Sequence, residues 1–218
     1  MYDDLKKAGV EITDNTGIVN NNDSIQTFSV ATFRSFVAEK MGKKTEVGHF
    51  TWNRWVPNKV LLFVWKLILG GIATKAALDH RGINLGNLEC GICGGDVETV
   101  NHLTVECTLV KAVWWHVFNW IKISVSAQVS DFNSLLDEVY KQKGSKIWKK
   151  TIEVVLYASV WRVWKSRNGK VFENNPFSVL KVVEEIKEDS YFWLIHRSSF
   201  SKLDWMRWRD FNIRDIIM

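Results

Sequence analysis

Apolar positions recur at helical spacing along most of this chain, and almost nowhere do they alternate as a sheet would require. The first 26 residues are the exception: they are polar, carry the run Asn20-Asn-Asn-Asp23 and predict loop or frayed chain. Val30, Phe33, Phe36 and Val37 then share one helical face, predicting a helix from about Val30 to Met41. Pro57 suits the first turn of a helix from about Asn58 to the Gly70-Gly71 break. Thr74 is positioned to cap a short helix to about Arg81, closed by Gly82, where a left-handed backbone is cheap only for glycine. Leu109/Val110, Val113/Trp114, Val117/Phe118 and Ile121 give the clearest amphipathic helix. Further helices are expected at about 131–141, at 145–168 ended by Asn168-Gly169, at 177–196, and in a short stretch carrying Trp205 and Trp208.

The expected architecture is therefore mainly α, a helical bundle with a small, irregular knuckle module inserted between helices. The expected divisions are a polar N-terminal segment (1–26), a knuckle-bearing region (27–123, knuckle at 88–107) and a basic helical region (131–218). With 218 residues, 46% hydrophobic and 24% charged, the chain can bury a real core. Its 12 tryptophans are expected mainly in that core. The longest apolar run, Val60–Leu69, is broken by Lys66 and is about half of the ~20 residues that span a bilayer, so no membrane partner is expected. The N-terminus has no apolar segment of the secretory kind.

All three cysteines and one of the five histidines fall within eighteen residues, as Cys90-x2-Cys93-x8-His102-x4-Cys107. Two cysteines separated by two residues place both sulfurs on one side of a tight turn, and Gly94-Gly95 permits that turn. Three thiolates and an imidazole form a closed set that suits one structural Zn²⁺ and leaves no open position for a substrate. A thioredoxin-type pair needs a helix start where Gly94-Gly95 stands. A zinc deaminase needs His-x-Glu before Pro-Cys-x-x-Cys, and residue 89 is glutamate. The plain alternative is three buried cysteines beside a core histidine, and the spacing favours zinc. His49, His80, His116 and His196 lack ligand-spaced companions. Clustered, odd-numbered cysteines also fit a reducing compartment, and an intracellular location, nucleus or cytoplasm, is expected.

The stretches Trp52-Asn-Arg-Trp-Val-Pro-Asn-Lys-Val60, Phe63-Val-Trp-Lys66, Thr74-Lys-Ala-Ala-Leu78, Arg81-Gly-Ile83, the four Cys/His positions, Glu98-Thr99 and Trp114 stand in a specific order. Together with the entry segment Thr27-Phe-Ser-Val30, they resemble the zinc-binding domain found after the polymerase region of plant non-LTR (LINE-type) retrotransposon reverse transcriptases. The likeness covers about residues 27–121 and implies zinc ligation by Cys90, Cys93, His102 and Cys107 in an accessory module. Gly91 and Ala73 stand where members of that family often carry proline. The polymerase itself has no counterpart: Tyr2-Asp-Asp4 lacks flanking strands, and Glu184, Glu185, Glu188 and Asp189 read as a solvated helix face balanced by Lys181 and Lys187. No catalytic residues are assigned, and the chain is expected not to be an enzyme.

Charge decides where a nucleic-acid partner, single-stranded RNA or DNA, would bind. The net charge is +5, and residues 108–218 hold the surplus with 18 basic and 12 acidic side chains. Between Gly82 and Val110 there is no Lys or Arg, while Glu89, Asp96, Glu98 and Glu106 are acidic, so the knuckle should repel phosphate. The candidate phosphate contacts are Lys146, Lys149, Lys150, Arg162, Lys165, Arg167 and Lys170, interleaved with Trp161 and Trp164, although the three-residue spacing of these tryptophans favours core. Other parts of a reverse transcriptase are the alternative partners. A helical interaction module, or a relic in which zinc is only a staple, is the competing reading.

Overall fold

The computed structural model describes residues 11–13, 17–19, 25–27, 50–126, 129–200 and 202–213. The chain divides into two compact units, Met1–Glu46 and Val47–Met218. In the first, β1 (Glu11–Thr13), β2 (Gly17–Val19) and β3 (Ile25–Thr27) form an antiparallel meander in the order β1-β2-β3, with Ile12 opposite Ile18 and Ile18 opposite Gln26. The polar reading of this segment missed the sheet because three-residue strands are too short for alternation to stand out. The helix expected at 30–41 lies outside the described residues.

The second unit is helical among its described residues. Helix α1 (Asn58–Ile68) begins after Pro57 and buries Val60, Leu61, Phe63, Val64 and Leu67. It stops where Gly70 turns left-handed at φ 68°. Thr74 caps α2 (Lys75–His80) by accepting from the Ala77 N–H, and Gly82 closes it at φ 82°. After the knuckle come a π-helical turn (His102–Glu106), α3 (Thr108–Ile121) and α4 (Phe132–Lys141), the last held by a capping box between Asp131 and Ser134. Then follow α5 (Lys146–Glu173), α6 (Val179–Arg197) and the short α7 (Trp205–Arg209).

Helix α5 is the axis of the unit. Its residues from Thr151 to Val160 are all buried, because α1, α3, α6 and the π-helical turn pack around it. It also runs five residues past the stop read at Asn168-Gly169 and ends only at Asn174, which is left-handed at φ 55°. A helical glycine costs about 1 kcal/mol relative to alanine. That cost is offset here by contacts of Arg167, Lys170 and Val171 on the knuckle.

The tryptophans mostly join this core. Trp208 is fully buried and donates to the Lys187 carbonyl at 2.9 Å, while Trp114 donates to the Thr104 carbonyl at 2.7 Å. Trp161 and Trp164 pack on Phe63 of α1 with ring centroids 5.3 and 5.8 Å away. They are helix-packing residues.

One buried carboxylate also lies in the core. Glu153 of α5 is 3% exposed and accepts from Thr51, Tyr140, Asn53 (2.8 Å) and Tyr157 (3.2 Å). Burial raises its pKa above the usual carboxylate range, against the pull of these four donors. A carboxyl whose pKa is raised by folding contributes most at pH below its unfolded pKa, and the contribution is lost as pH rises through the folded pKa. Denaturant unfolding across pH should therefore show the native chain losing stability relative to Glu153→Gln as pH rises through that raised value. Parallel pH profiles for the two proteins would count against this assignment.

Candidate metal centre

The knuckle is built from a short antiparallel pairing. Glu89 pairs with Val97, the Cys90 N–H donates to the Asp96 carbonyl at 2.8 Å, and the Glu98 N–H donates to the Leu88 carbonyl at 2.8 Å. Between these rungs, the Gly94 N–H returns to the Cys90 carbonyl at 2.8 Å, with Gly94 at φ 70°. This closes the Cys90–Cys93 turn and puts both sulfurs on one side.

The other two donors come from a widened turn of helix. Side chains five residues apart on an α-helix diverge by about 140°, at 3.6 residues per turn. Here the Cys107 N–H donates to the His102 carbonyl at 2.8 Å in a π-helical turn, which brings both side chains to the same side. Cys107 is also the residue from which α3 starts. Its thiol pKa is lowered, first by a hydrogen bond from Cys90 and further by the N–H groups of Val110 and Leu109. Cys90 is raised correspondingly, as the donor to Cys107 and through burial.

The donor atoms of Cys90, Cys93, His102 and Cys107 all lie within 4.8 Å of one another, with Cys93 Sγ 3.4 Å from His102 Nε2. Zinc bonds of ~2.3 Å to sulfur and ~2.0 Å to nitrogen require tetrahedral edges of about 3.5–3.8 Å. The set therefore fits one structural zinc ion, with no position left for a substrate. His102 directs Nδ1 toward Asp96 Oδ2 at 3.7 Å, leaving Nε2 for the metal. Among the described residues no second group of three such side chains comes together.

Behind the turn lies Glu98, which is fully buried. Its carboxylate accepts from the Gly91 N–H at 2.9 Å and the Lys75 N–H at 3.0 Å. Arg167 of α5 clasps both oxygens, Nε at 3.0 Å and Nη2 at 2.5 Å. Charge counting assigned Arg167 to a nucleic-acid surface, but it is 3% exposed with its fork taken by Glu98. The other six candidates do not converge either. Arg162 is ion-paired to Asp189 and Glu185, Lys149 donates to the Tyr140 carbonyl at 2.9 Å, and Lys170 donates to the Ile92 carbonyl at 2.7 Å. Lys146, Lys150 and Lys165 are exposed. The first two are neighbours, and Lys165 stands about 22 Å farther along the helix.

Sequence reasoning missed Glu98, Asp96 and the role of Arg167. A usable signal existed: Arg167, Lys170 and Val171 are spaced i, i+3, i+4, one helical face that points at the knuckle rather than at solvent. It also missed Trp115, 65% exposed on α3, with Lys111 exposed one turn earlier on a helix that contains no acidic residue.

Gly91 has a specific reason to be glycine. A Cβ there would lie 2.6 Å from Val171 Cγ2, and proline would also remove the N–H given to Glu98. Gly91→Ala should lower stability by about 1–3 kcal/mol, the usual range for overpacking. Thermal unfolding of the zinc-loaded protein would check this, and an unchanged midpoint would show that α5 is not held that closely.

Comparison with known proteins bears directly on this segment. Residues 28–114 match the family described as zinc-binding in reverse transcriptase. The chain is 25% identical over 126 residues to an Arabidopsis thaliana protein named "putative ribonuclease H protein", an alignment that covers 57% of this chain and 20% of that protein. No solved structure matches the chain. The segment that gathers Cys90, Cys93, His102 and Cys107 is therefore similar to the family described as zinc-binding in reverse transcriptase, and its four donors form a group that could hold a metal ion.

Proposed function

We propose that the chain acts as a non-catalytic accessory region of a retroelement reverse transcriptase, in which Cys90, Cys93, His102 and Cys107 hold one zinc ion for structure. The observation that carries this reading is the closed donor set, three thiolates and one imidazole with every donor within 4.8 Å of the others. When bound, zinc supplies cross-linking of two chain segments and no catalysis, because the protein fills all four positions. Structural zinc in small peptides contributes an apparent ~10–16 kcal/mol, comparable with the roughly 5–15 kcal/mol net stability of a whole domain. The activity in the plant relative's name belongs to a protein of which this chain spans one fifth, and the reading assigns no catalytic step here. Thiolate ligation fits a reducing setting, so the proposed location is intracellular, in nucleus or cytoplasm. No helix among the described residues is long and apolar enough to cross a membrane.

A nucleic-acid contact is the second part of the reading, favoured by the exposed side chains of α3. Lys111 lies one turn before Trp115, about 6 Å along the helix, and Lys122 is exposed at the helix's C-terminal cap, so a base stacked on the indole would have a cation near for its phosphates. Lys146, Lys150 and Lys165 supply a weaker, dispersed addition. The competing reading is a helical interaction module that zinc merely staples.

Two measurements test this. Elemental analysis should find one zinc per chain, lost when Cys90 and Cys107 become serine, with chelation reducing helical circular dichroism; less than half an equivalent in the native chain would end the zinc reading. Fluorescence anisotropy with single-stranded RNA and DNA should show binding that weakens with salt and falls several-fold in Trp115→Ala. Absence of binding at low salt would leave the staple reading.

A further inference from the structure

We infer that the zinc-binding unit of this chain extends beyond the matched segment into α5, with Arg167 and Lys170 serving as positioning residues for the turn between Cys90 and Cys93. The inference rests on the structural-zinc reading above and deepens it.

Two backbone groups lie between these cysteines and face α5. The Gly91 N–H donates to Glu98 Oε2 at 2.9 Å, and the Ile92 carbonyl accepts from Lys170 Nζ at 2.7 Å. Glu98 holds its place because Arg167 engages both of its oxygens. Arg167 is itself fixed: Nη1 donates to Asn168 Oδ1 at 3.0 Å, and the guanidinium lies 5.3 Å from the Trp164 ring and 5.9 Å from the Phe172 ring. Val171, on the same face, abuts Gly91 so closely that a Cβ there would have to displace it. A single helix face therefore anchors both residues that separate the first two ligands.

That turn sets the spacing of the Cys90 and Cys93 sulfurs. A turn held before the metal arrives loses less freedom on binding, and removing partners that orient ligands usually lowers metal affinity about 10–100-fold. Charge acts in the same direction. Zinc with three thiolates carries net negative charge in a knuckle without a basic residue, and Glu98 adds another; Arg167 and Lys170 supply the compensating cations from outside it. Linkage makes the effect reciprocal, so zinc should stabilise the last turns of α5 as much as α5 stabilises the zinc.

The test uses the full chain with three substitutions, Arg167→Met, Lys170→Met and, as control, Arg162→Met. Zinc affinity is read by competition with a chromophoric chelator, and ligand geometry by the absorption bands of the Co²⁺-substituted protein. Arg167→Met should bind zinc at least about 10-fold more weakly, and Lys170→Met less so, both with shifted Co²⁺ bands. Arg162 is on the same helix as Arg167, and Arg162→Met breaks its ion pairs to Asp189 and Glu185 of α6 without touching the turn, so it should leave both readouts unchanged. Affinities of Arg167→Met and Lys170→Met within about twofold of the native chain would overturn the inference, as would an equal loss in Arg162→Met. Should Arg167→Met fail to fold, the partly exposed Lys170 decides by the same readouts. A native chain that binds no zinc ends the underlying reading; a zinc-loaded native chain with unaffected variants ends only the positioning role.

Discussion

A carboxylate with no access to water must be met by a cation and by N–H donors, and in this protein that requirement joins two regions far apart in sequence. Glu98 sits in the knuckle and Arg167 on α5, sixty-nine residues later, and each is almost wholly shielded from solvent. Removing one partner of such a pair typically costs about 3–5 kcal/mol, because the remaining charge is left buried and unpaired. The knuckle therefore cannot separate from α5 without exposing Glu98 and Arg167 or leaving them unmatched. Zinc closes the knuckle on one side and this ion pair closes it on the other.

The same helix carries a second buried carboxylate, Glu153, about four turns earlier, and the two are solved by different chemistry. Glu98 has a guanidinium and stays a partner in an ion pair; Glu153 has hydroxyl and amide donors, and burial pushes its proton affinity up. One ties α5 to the metal knuckle, the other ties it to the segment before α1 through Thr51 and Asn53. Between Glu153 and Arg167 lies the buried stretch from Val154 to Val160. Polar anchors at both ends of an apolar segment fix the axial position of α5, which apolar packing alone would leave free to slide.

Much of this was legible in the sequence, for identifiable reasons. Pro57, Thr74 and Gly82 act through local geometry, so helix starts and stops near them could be read directly. The four metal-donor positions were legible for the same reason, since tight turns and close spacing are local properties. What was not legible depends on distant partners. Gly169 looks like a helix stop until the knuckle contacts of Arg167, Lys170 and Val171 are known. Strands of three residues give no alternation to read, so the β1-β2-β3 meander was hidden as well.

The positive charge of the C-terminal half is where local reading and structure diverge most. A surplus of six positive charges over residues 108–218 suggests a phosphate-binding surface, yet cations are costly to bury and serve wherever buried acceptors need them. Arg167 and Lys170 neutralise and fasten an acidic knuckle, Arg162 answers Asp189 and Glu185 of α6, and Lys149 satisfies the Tyr140 carbonyl. Part of the basic half is thus used inside the same fold, Arg162 and Arg167 as counter-charges for acids and Lys149 and Lys170 as donors to backbone carbonyls. Phosphate recognition needs exposed cations beside an exposed ring, and Lys111 one turn from Trp115 on α3 meets that criterion.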